Sequence, residues 1–316
     1  MIKKESNKNG LIELFRFLCS VWVAYFHGFF PILSDKFDGV NISVDFFFMV
    51  SGLFFLKAIE KYREKPFLEG AVFIFWSRTK SFIVPLIIAA LSILSCNIIF
   101  ELDFGGFNWP LSFLWFFAAQ FVYMTVLYLI LKNTKKRSTF NIICAGVVCI
   151  SMSLFLFMPE WFARQFDRVF RGPAMLALGM LLSQVPRFKI KLDNEKKADK
   201  INILLNAIGF TVSAAAFIYL AYLPGYSVWK THLFTCLVCP ALLYFALGLP
   251  VKGKFFNLLG EISVFIYLAQ CPILLHYYGG PGGTKDQFGW LCIYAAGMFF
   301  INRVINYIAS KRKATV

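Results

Sequence analysis

Long apolar runs separated by short polar connectors make up almost the whole chain. A run of about 17 to 25 apolar residues is long enough to cross a bilayer as a helix. The runs predict about ten such spans, near residues 11–33, 40–58, 80–100, 110–131, 140–158, 171–186, 201–223, 231–250, 255–276 and 287–309. We therefore predict an all-α fold, a polytopic transmembrane helical bundle.

The composition agrees with a membrane environment. Hydrophobic residues make up 59% of the 316 positions and charged residues 16%, and phenylalanine occurs 39 times. A soluble domain has roughly 25% charged residues, and one as apolar as this chain would expose large adhesive patches. We predict one integral membrane domain over residues 1–316, with no separate soluble domain.

Lysine and arginine gather in alternate connectors. Under the positive-inside rule these connectors are cytoplasmic, and an even number of spans puts both termini there too. The basic segments are residues 1–8, 57–65, 132–137, 187–200, 251–254 and 311–316. The net charge of +15 then reflects topology and not nucleic-acid binding. We predict a multi-pass protein of the cell membrane, either a bacterial inner membrane or a plasma membrane.

The cysteines do not indicate a metal site. All eight lie in or beside apolar runs, and Cys236 and Cys239 form one CxxC that has no second pair nearby. Free cysteine behaves as a small hydrophobic side chain. We predict no bound metal.

The first span carries Glu13, Arg16 and His27 within an otherwise lipid-soluble segment. Ionisable groups inside a membrane helix are costly unless paired or hydrated, so they indicate function. Eleven residues separate Arg16 from His27, which is about three helical turns and about 16 Å of rise. We therefore expect both side chains on one helix face, with the histidine able to act as a general base.

The segment VDFFFMVSGLF opens the second span with Asp45. This carboxylate has two possible partners, the His27 imidazole at a similar depth or water at the helix end. Ser51 and Gly52 interrupt the apolar residues, and small residues of this kind allow helices to approach closely. Contact with substrate is the alternative role of Ser51.

Other polar residues lie at span ends or inside the ninth span. Arg78 and Lys80 stand at the predicted cytoplasmic start of the third span, as a topological anchor or as a phosphate clamp. Tyr267 and Gln270 are three residues apart, so they share a helix face. We expect His232, at the start of the eighth span, to lie at the membrane interface.

These residues resemble the acyltransferase family 3 of integral membrane proteins, which O-acylate extracytoplasmic carbohydrates. The family's first span typically has aspartate, arginine three residues later and histidine eleven residues after that, and Glu13, Arg16 and His27 occupy these places. Further segments are similar in order along the chain, at residues 44–54, 111–117, 171–182 and 259–270.

Two positions depart from the family pattern. Gln270 stands where the family often has histidine, which puts a role for that histidine in doubt. Arg78 and Lys80 are two residues apart, whereas the family usually has two arginines three apart.

The resemblance implies an acyl-CoA co-substrate, usually acetyl-CoA, a sugar hydroxyl as acceptor, and no bound cofactor. His27 would act as base or transient acyl carrier, Arg16 would bind the donor or stabilise charge, and Glu13 would orient Arg16. The candidate substrate-binding residues are Asp45, Ser51, Arg78, Lys80, Arg171, Tyr267 and Gln270.

Two other functions remain open on the sequence. A polytopic transporter or exporter of a small solute or glycan precursor would also have buried charges, although no inverted repeat is evident. A non-catalytic scaffold would leave Glu13, Arg16 and His27 unexplained.

We predict that His27→Gln abolishes acyl transfer while membrane insertion stays normal, because the variant loses the proposed base. The measurement is the acyl content of the acceptor glycan in cells that express equal amounts of each variant. His276→Gln, at the predicted outer end of the ninth span, is the matched control. Normal acylation by His27→Gln would remove this residue from the catalytic set.

Overall fold

The computed structural model describes residues 8–24, 39–77, 79, 87, 108–222, 228–277, 292–293, 295–305 and 307–308. These ranges contain helices and turns but no β-strand, so the all-α prediction is confirmed for them. Three helices within them are long and apolar enough to cross a membrane, Ile42–Tyr62, Arg137–Phe157 and Glu195–Ala221. The ten-span count and the side on which the termini lie stay predictions.

Ten helices can be followed through the described ranges. They are α1 (Gly10–Ala24), α2 (Gly39–Ile59), α3 (Phe67–Ser77), α4 (Asn108–Asn133), α5 (Arg137–Phe157), α6 (Glu160–Leu182), α7 (Glu195–Ala221), α8 (Val228–Gly248), α9 (Lys254–Tyr277) and α10 (Ala295–Ile305). A short 3-10 turn, Glu60–Tyr62, continues α2.

Helix α2 is the centre of the bundle, and its most extensive partner is α6. The two backbones touch through a glycine on each helix. A Cβ added at Gly52 would lie 2.0 Å from the carbonyl oxygen of Leu176, and one added at Gly179 would lie 2.1 Å from that of Met49. Small residues permit such close approach between membrane helices. The close-packing role expected of Gly52 is therefore confirmed.

Aromatic side chains join α1 and α2 to α7. The Phe15 and Phe217 rings meet edge to face at 5.6 Å, and Phe46 lies 5.8 Å from Phe217. Trp22 stacks on Phe217 with ring centroids 5.7 Å apart. Aromatic pairs of this geometry add to the packing energy. They hold one face of α1 against α7 and thereby determine which face of α1 points the other way.

The start of α1 is tied to the end of α8 by Asn9. Its side-chain oxygen accepts from the backbone N–H groups of Leu11 and Ile12 at 3.1 and 3.2 Å, which caps the helix. Its amide nitrogen donates to the carbonyls of Ala246 and Leu249 at 2.8 and 3.2 Å. One side chain thus sets the position of α1 against the connector before α9.

The basic connectors gather at the same end of the bundle. Arg63, after α2, donates to the carbonyl of Thr134 at the end of α4. Arg137, at the start of α5, forms an ion pair with Glu60 and donates to Gln184, after α6, at 2.9 Å. We call this the basic end. Its formation fits a topology in which these connectors share one side of the membrane.

We predict that Gly52→Ala and Gly179→Ala destabilise the protein, because each added methyl group would overlap a backbone carbonyl. Overpacking of this kind costs about 1–3 kcal/mol. Thermal unfolding of the detergent-solubilised protein measures the effect.

Gly146→Ala is the matched control, since a Cβ there meets nothing within 4 Å among the described residues. We expect it to leave the unfolding temperature unchanged or higher, since alanine is the better helix former. Equal losses in all three variants would contradict the backbone contact.

Candidate functional site

A cavity of about 510 Å³ opens between α1, α2, α4 and α9. Most of its wall is apolar. Its polar lining residues include Lys8, Glu13, Arg16, Ser51, Gln120 and Tyr267. On α1 the lining side chains recur every three or four residues, which is the stripe that one helix face presents. A mostly apolar cavity with a few convergent polar groups is the usual form of a ligand site.

The cavity brings together four of the residues singled out from the sequence, Glu13, Arg16, Ser51 and Tyr267. Asp45 and Arg171 lie elsewhere, in the core. The other candidates have side chains outside the described residues, namely His27, Arg78, Lys80 and Gln270. The roles proposed for those four stay predictions.

Glu13 and Arg16 form an ion pair one turn apart on α1. Arg16 Nη1 lies 2.9 Å from Glu13 Oε2 and 3.2 Å from Oε1, so both carboxylate oxygens accept from it. The Glu13 side chain is 8% exposed and that of Arg16 is 27% exposed. The carboxylate is therefore packed away, whereas part of the guanidinium faces the cavity, where it can bind an anion or a polarised carbonyl.

Helix α9 leaves room for the Glu13 carboxylate through a glycine. A Cβ added at Gly260 would lie 1.5 Å from Glu13 Oε2. Any larger residue at this position would displace the carboxylate and with it the Arg16 guanidinium. Gly260 belongs to the late segment that the sequence singled out for Tyr267 and Gln270.

A second polar pair lies in the part of the cavity wall that α2 and α4 form, and the sequence reasoning missed one of its members, Gln120. Gln120 Nε2 on α4 donates to Ser51 Oγ on α2 at 2.8 Å. Gln120 is 3% exposed. The sequence did mark Gln120 in one way, since it is the one amide residue in the apolar run LSFLWFFAAQFVYM, residues 111–124.

Asp45 and Arg171 lie at the centre of a separate buried cluster between α2, α6 and α8. Arg171 Nε and Nη2 each lie 3.0 Å from Asp45 Oδ1. The other carboxylate oxygen accepts from Thr235 Oγ1 at 2.6 Å and lies 3.3 Å from His232 Nδ1. Asp45 is fully buried, so the interpretation that it meets water at a helix end is wrong.

His232 extends this cluster to α5. Its Nε2 atom lies 3.4 Å from Ser151 Oγ and 3.7 Å from Cys236 Sγ, and its ring packs on Phe155 at 4.7 Å. The residue is 0% exposed, so the expectation that it lies at the membrane interface is wrong. Helix α8 begins before it and turns this side chain into the core instead.

The order serine, histidine, aspartate in this cluster is that of a nucleophilic triad. However, the Ser151 hydroxyl donates to the Phe170 carbonyl at 3.1 Å, which uses its proton within the core. None of the cluster residues lines the cavity. The geometry is that of a structural network that ties four helices together.

Comparison with known proteins gives one family. The model of an acyltransferase domain matches residues 9–305, which is nearly the whole chain. No curated protein and no solved structure matches it.

We predict that removing one member of the Asp45–Arg171 pair is worse than removing both. Asp45→Leu removes the carboxylate that pairs with the buried Arg171 guanidinium, and breaking a buried pair in this way costs about 3–5 kcal/mol. The double variant Asp45→Leu with Arg171→Met replaces the pair by apolar side chains and should recover part of the loss. Thermal unfolding of the solubilised protein measures Asp45→Leu, Arg171→Met and the double variant.

Glu69→Gln, which breaks the half-exposed Lys65–Glu69 pair at 3.2 Å, is the control and should have little effect. Strictly additive losses in the double variant would show that Asp45 and Arg171 do not depend on each other.

Proposed function

The chain belongs to the acyltransferase family 3, and from this premise we propose that it moves an acetyl group from cytoplasmic acetyl-CoA to a hydroxyl of an extracytoplasmic glycan. The glycan is a surface polysaccharide such as capsule, lipopolysaccharide or exopolysaccharide. The protein works in the cell membrane and takes acyl-CoA as a co-substrate.

The observation that carries the proposal is the cavity with the Glu13–Arg16 pair in its wall. Along α1 it runs from Ile12 to Val23, which is about 16 Å of helix rise, and Lys8 lines it just before the helix begins. Lys8 directly precedes Asn9, which ties α1 to the end of α8. The end of α8 in turn contacts the basic connector after α6, where Arg187 donates to the Tyr244 carbonyl at 2.7 Å, and a phosphate-bearing donor would enter there. A long apolar cavity with the Arg16 guanidinium part-way along it suits a thioester at the end of a flexible arm.

Acyl transfer to an alcohol needs a base for the hydroxyl proton and a positive group for the developing oxyanion. Arg16 supplies the positive group, and Glu13 holds the guanidinium in position. His27 follows Val23 by four residues in the sequence and takes the role of base. The acceptor oxygen then attacks the thioester carbonyl, the carbon–sulfur bond breaks, and the CoA thiolate leaves and takes up the proton held by the base.

The phosphates of the donor need further cations at the cytoplasmic side. Lys8 lines the cavity, and we assign the phosphate clamp to it together with Arg78 and Lys80. A cluster of this kind binds phosphate through charge-assisted hydrogen bonds.

The test is an acetyl-transfer assay in inverted membrane vesicles supplied with isotope-labelled acetyl-CoA. We expect label in ester linkage on the glycan from cells that express the protein, and none from the deletion strain. Ester-linked label is recognised by its release under mild base. Label that crosses the membrane as free acetate or as intact thioester, with none on glycan, would favour a transporter and contradict the proposal.

We predict that Arg16→Lys lowers transfer by at least about tenfold, because lysine keeps the charge but loses the planar fork that holds Glu13 and the oxyanion together. The control is Arg303→Lys. Arg303 also pairs with a glutamate, Glu261, at 2.5 Å, but it does not line the cavity. Full activity of Arg16→Lys beside an inactive Arg16→Ala would show that Arg16 acts only as a point charge.

A further inference from the structure

We propose that Ser51 and Gln120 together bind an amide group of the donor's pantetheine arm. The inference rests on the proposed function, since it takes acyl-CoA as the donor. It assigns a binding role to Gln120, and it places the arm against the α2–α4 wall of the cavity that the Glu13–Arg16 pair also lines.

The two side chains are brought together because α2 and α4 run in the same direction. Phe116 lies against Phe48 with ring centroids 4.7 Å apart, and Gln120, one turn further along α4, lies against Ser51. Further on, the Tyr128 hydroxyl donates to the Tyr62 carbonyl at 3.1 Å. Three contacts in the same order along both helices fix the register of the pair.

Hydrogen-bond accounting leaves at least one donor and one acceptor on this pair, since one N–H of the Gln120 amide is used on Ser51. The Ser51 oxygen accepts from Gln120 Nε2, and its own hydrogen finds no acceptor among the described residues. Gln120 Oε1 likewise finds no donor there. Buried polar groups are normally satisfied, so a cavity wall with such a pair is suited to a ligand that supplies both partners.

Ser51 and Gln120 can hydrogen-bond to each other in either orientation of the Gln120 carboxamide. If the amide turns over, the Ser51 hydroxyl donates to the amide oxygen, and the Gln120 nitrogen and a serine lone pair become the free groups. One donor and one acceptor side by side match a secondary amide, which offers one carbonyl and one N–H.

The other serines of the cavity are different. Ser20 donates to the Arg16 carbonyl at 3.0 Å, and Ser263 donates to the Gly260 carbonyl at 2.7 Å. Both hydroxyl hydrogens are therefore used within their own helices. In the described part of the cavity wall, Ser51 is the serine whose hydrogen is left for a ligand.

The level at which Ser51 lies along the cavity suits the pantetheine arm of the donor and not its nucleotide. Ser51 lies nine residues before Glu60, which is about 14 Å of helix rise from the basic end. The cavity wall around it is apolar and includes Phe47, Val50 and Phe54. A charged nucleotide would be poorly solvated at this level, whereas a narrow chain with an amide would fit.

The experiment measures binding of three probes to the full-length protein in lipid nanodiscs by calorimetry. CoA contains both the nucleotide and the arm, pantetheine contains the arm alone, and adenosine 3′,5′-bisphosphate contains most of the nucleotide half. We expect Ser51→Ala and Gln120→Leu to weaken CoA and pantetheine binding by about tenfold, as for a lost buried hydrogen bond. Binding of adenosine 3′,5′-bisphosphate should not change.

Ser263→Ala is the matched control, because it makes the same substitution in the same cavity but removes a hydroxyl already bonded to its own helix. It should leave all three affinities unchanged. If Ser51→Ala and Gln120→Leu bind CoA and pantetheine as the wild type does, the amide site is wrong while the donor assignment stands. An equal loss for the nucleotide probe would assign the pair a structural role and overturn the site. If the wild type binds neither CoA nor pantetheine, the proposed function itself fails.

Discussion

The Asp45 carboxylate is the interaction on which the arrangement of the central helices depends. It lies on α2 and holds Arg171 of α6 and Thr235 of α8, all three of them at most 4% exposed. A buried charge has to be compensated where it lies, so α6 and α8 cannot move far from α2 without leaving it unpaired. The Gly52–Leu176 contact then sets how closely α2 and α6 approach.

Because one face of α2 is committed to α6 and α8, the other face is free to line the cavity. Asp45 lies on the first of these faces, and Ser51 lies on the second. The two arginines that pair with carboxylates, Arg171 and Arg16, also differ in how far they are buried. Arg171 is enclosed and donates to the Asp45 carboxylate, whereas Arg16 is held by Glu13 and remains 27% exposed toward the cavity. We assign a structural role to Arg171 and propose a binding role for Arg16.

The parts of the fold that depend on local spacing could be predicted from the sequence. Apolar runs predicted the helical class. The family resemblance implied that Glu13 orients Arg16, and the two residues stand three apart on one helix, where side chains are neighbours. The family was likewise evident from short segments, since each motif lies within a single span.

Contacts between distant positions could not be predicted in this way. Asp45 meets Arg171 and His232, which are 126 and 187 residues away, and nothing local marks these partners. His232 was assigned to the interface because it stands near the start of an apolar run, but the packing of α8 decides where it points. Gln120 was missed for the same reason, since its importance comes from Ser51, 69 residues away.

Photo-crosslinking with an acyl-CoA analogue that carries a photoreactive group at its acyl end tests the central claim most directly. The claim is that the cavity beside Arg16 holds the thioester. Labelled peptides from α1 between Arg16 and Val23, or from α9 around Tyr267, are expected, with label lost when acetyl-CoA competes. Label confined to α5 or α7, or unaffected by acetyl-CoA, would contradict it.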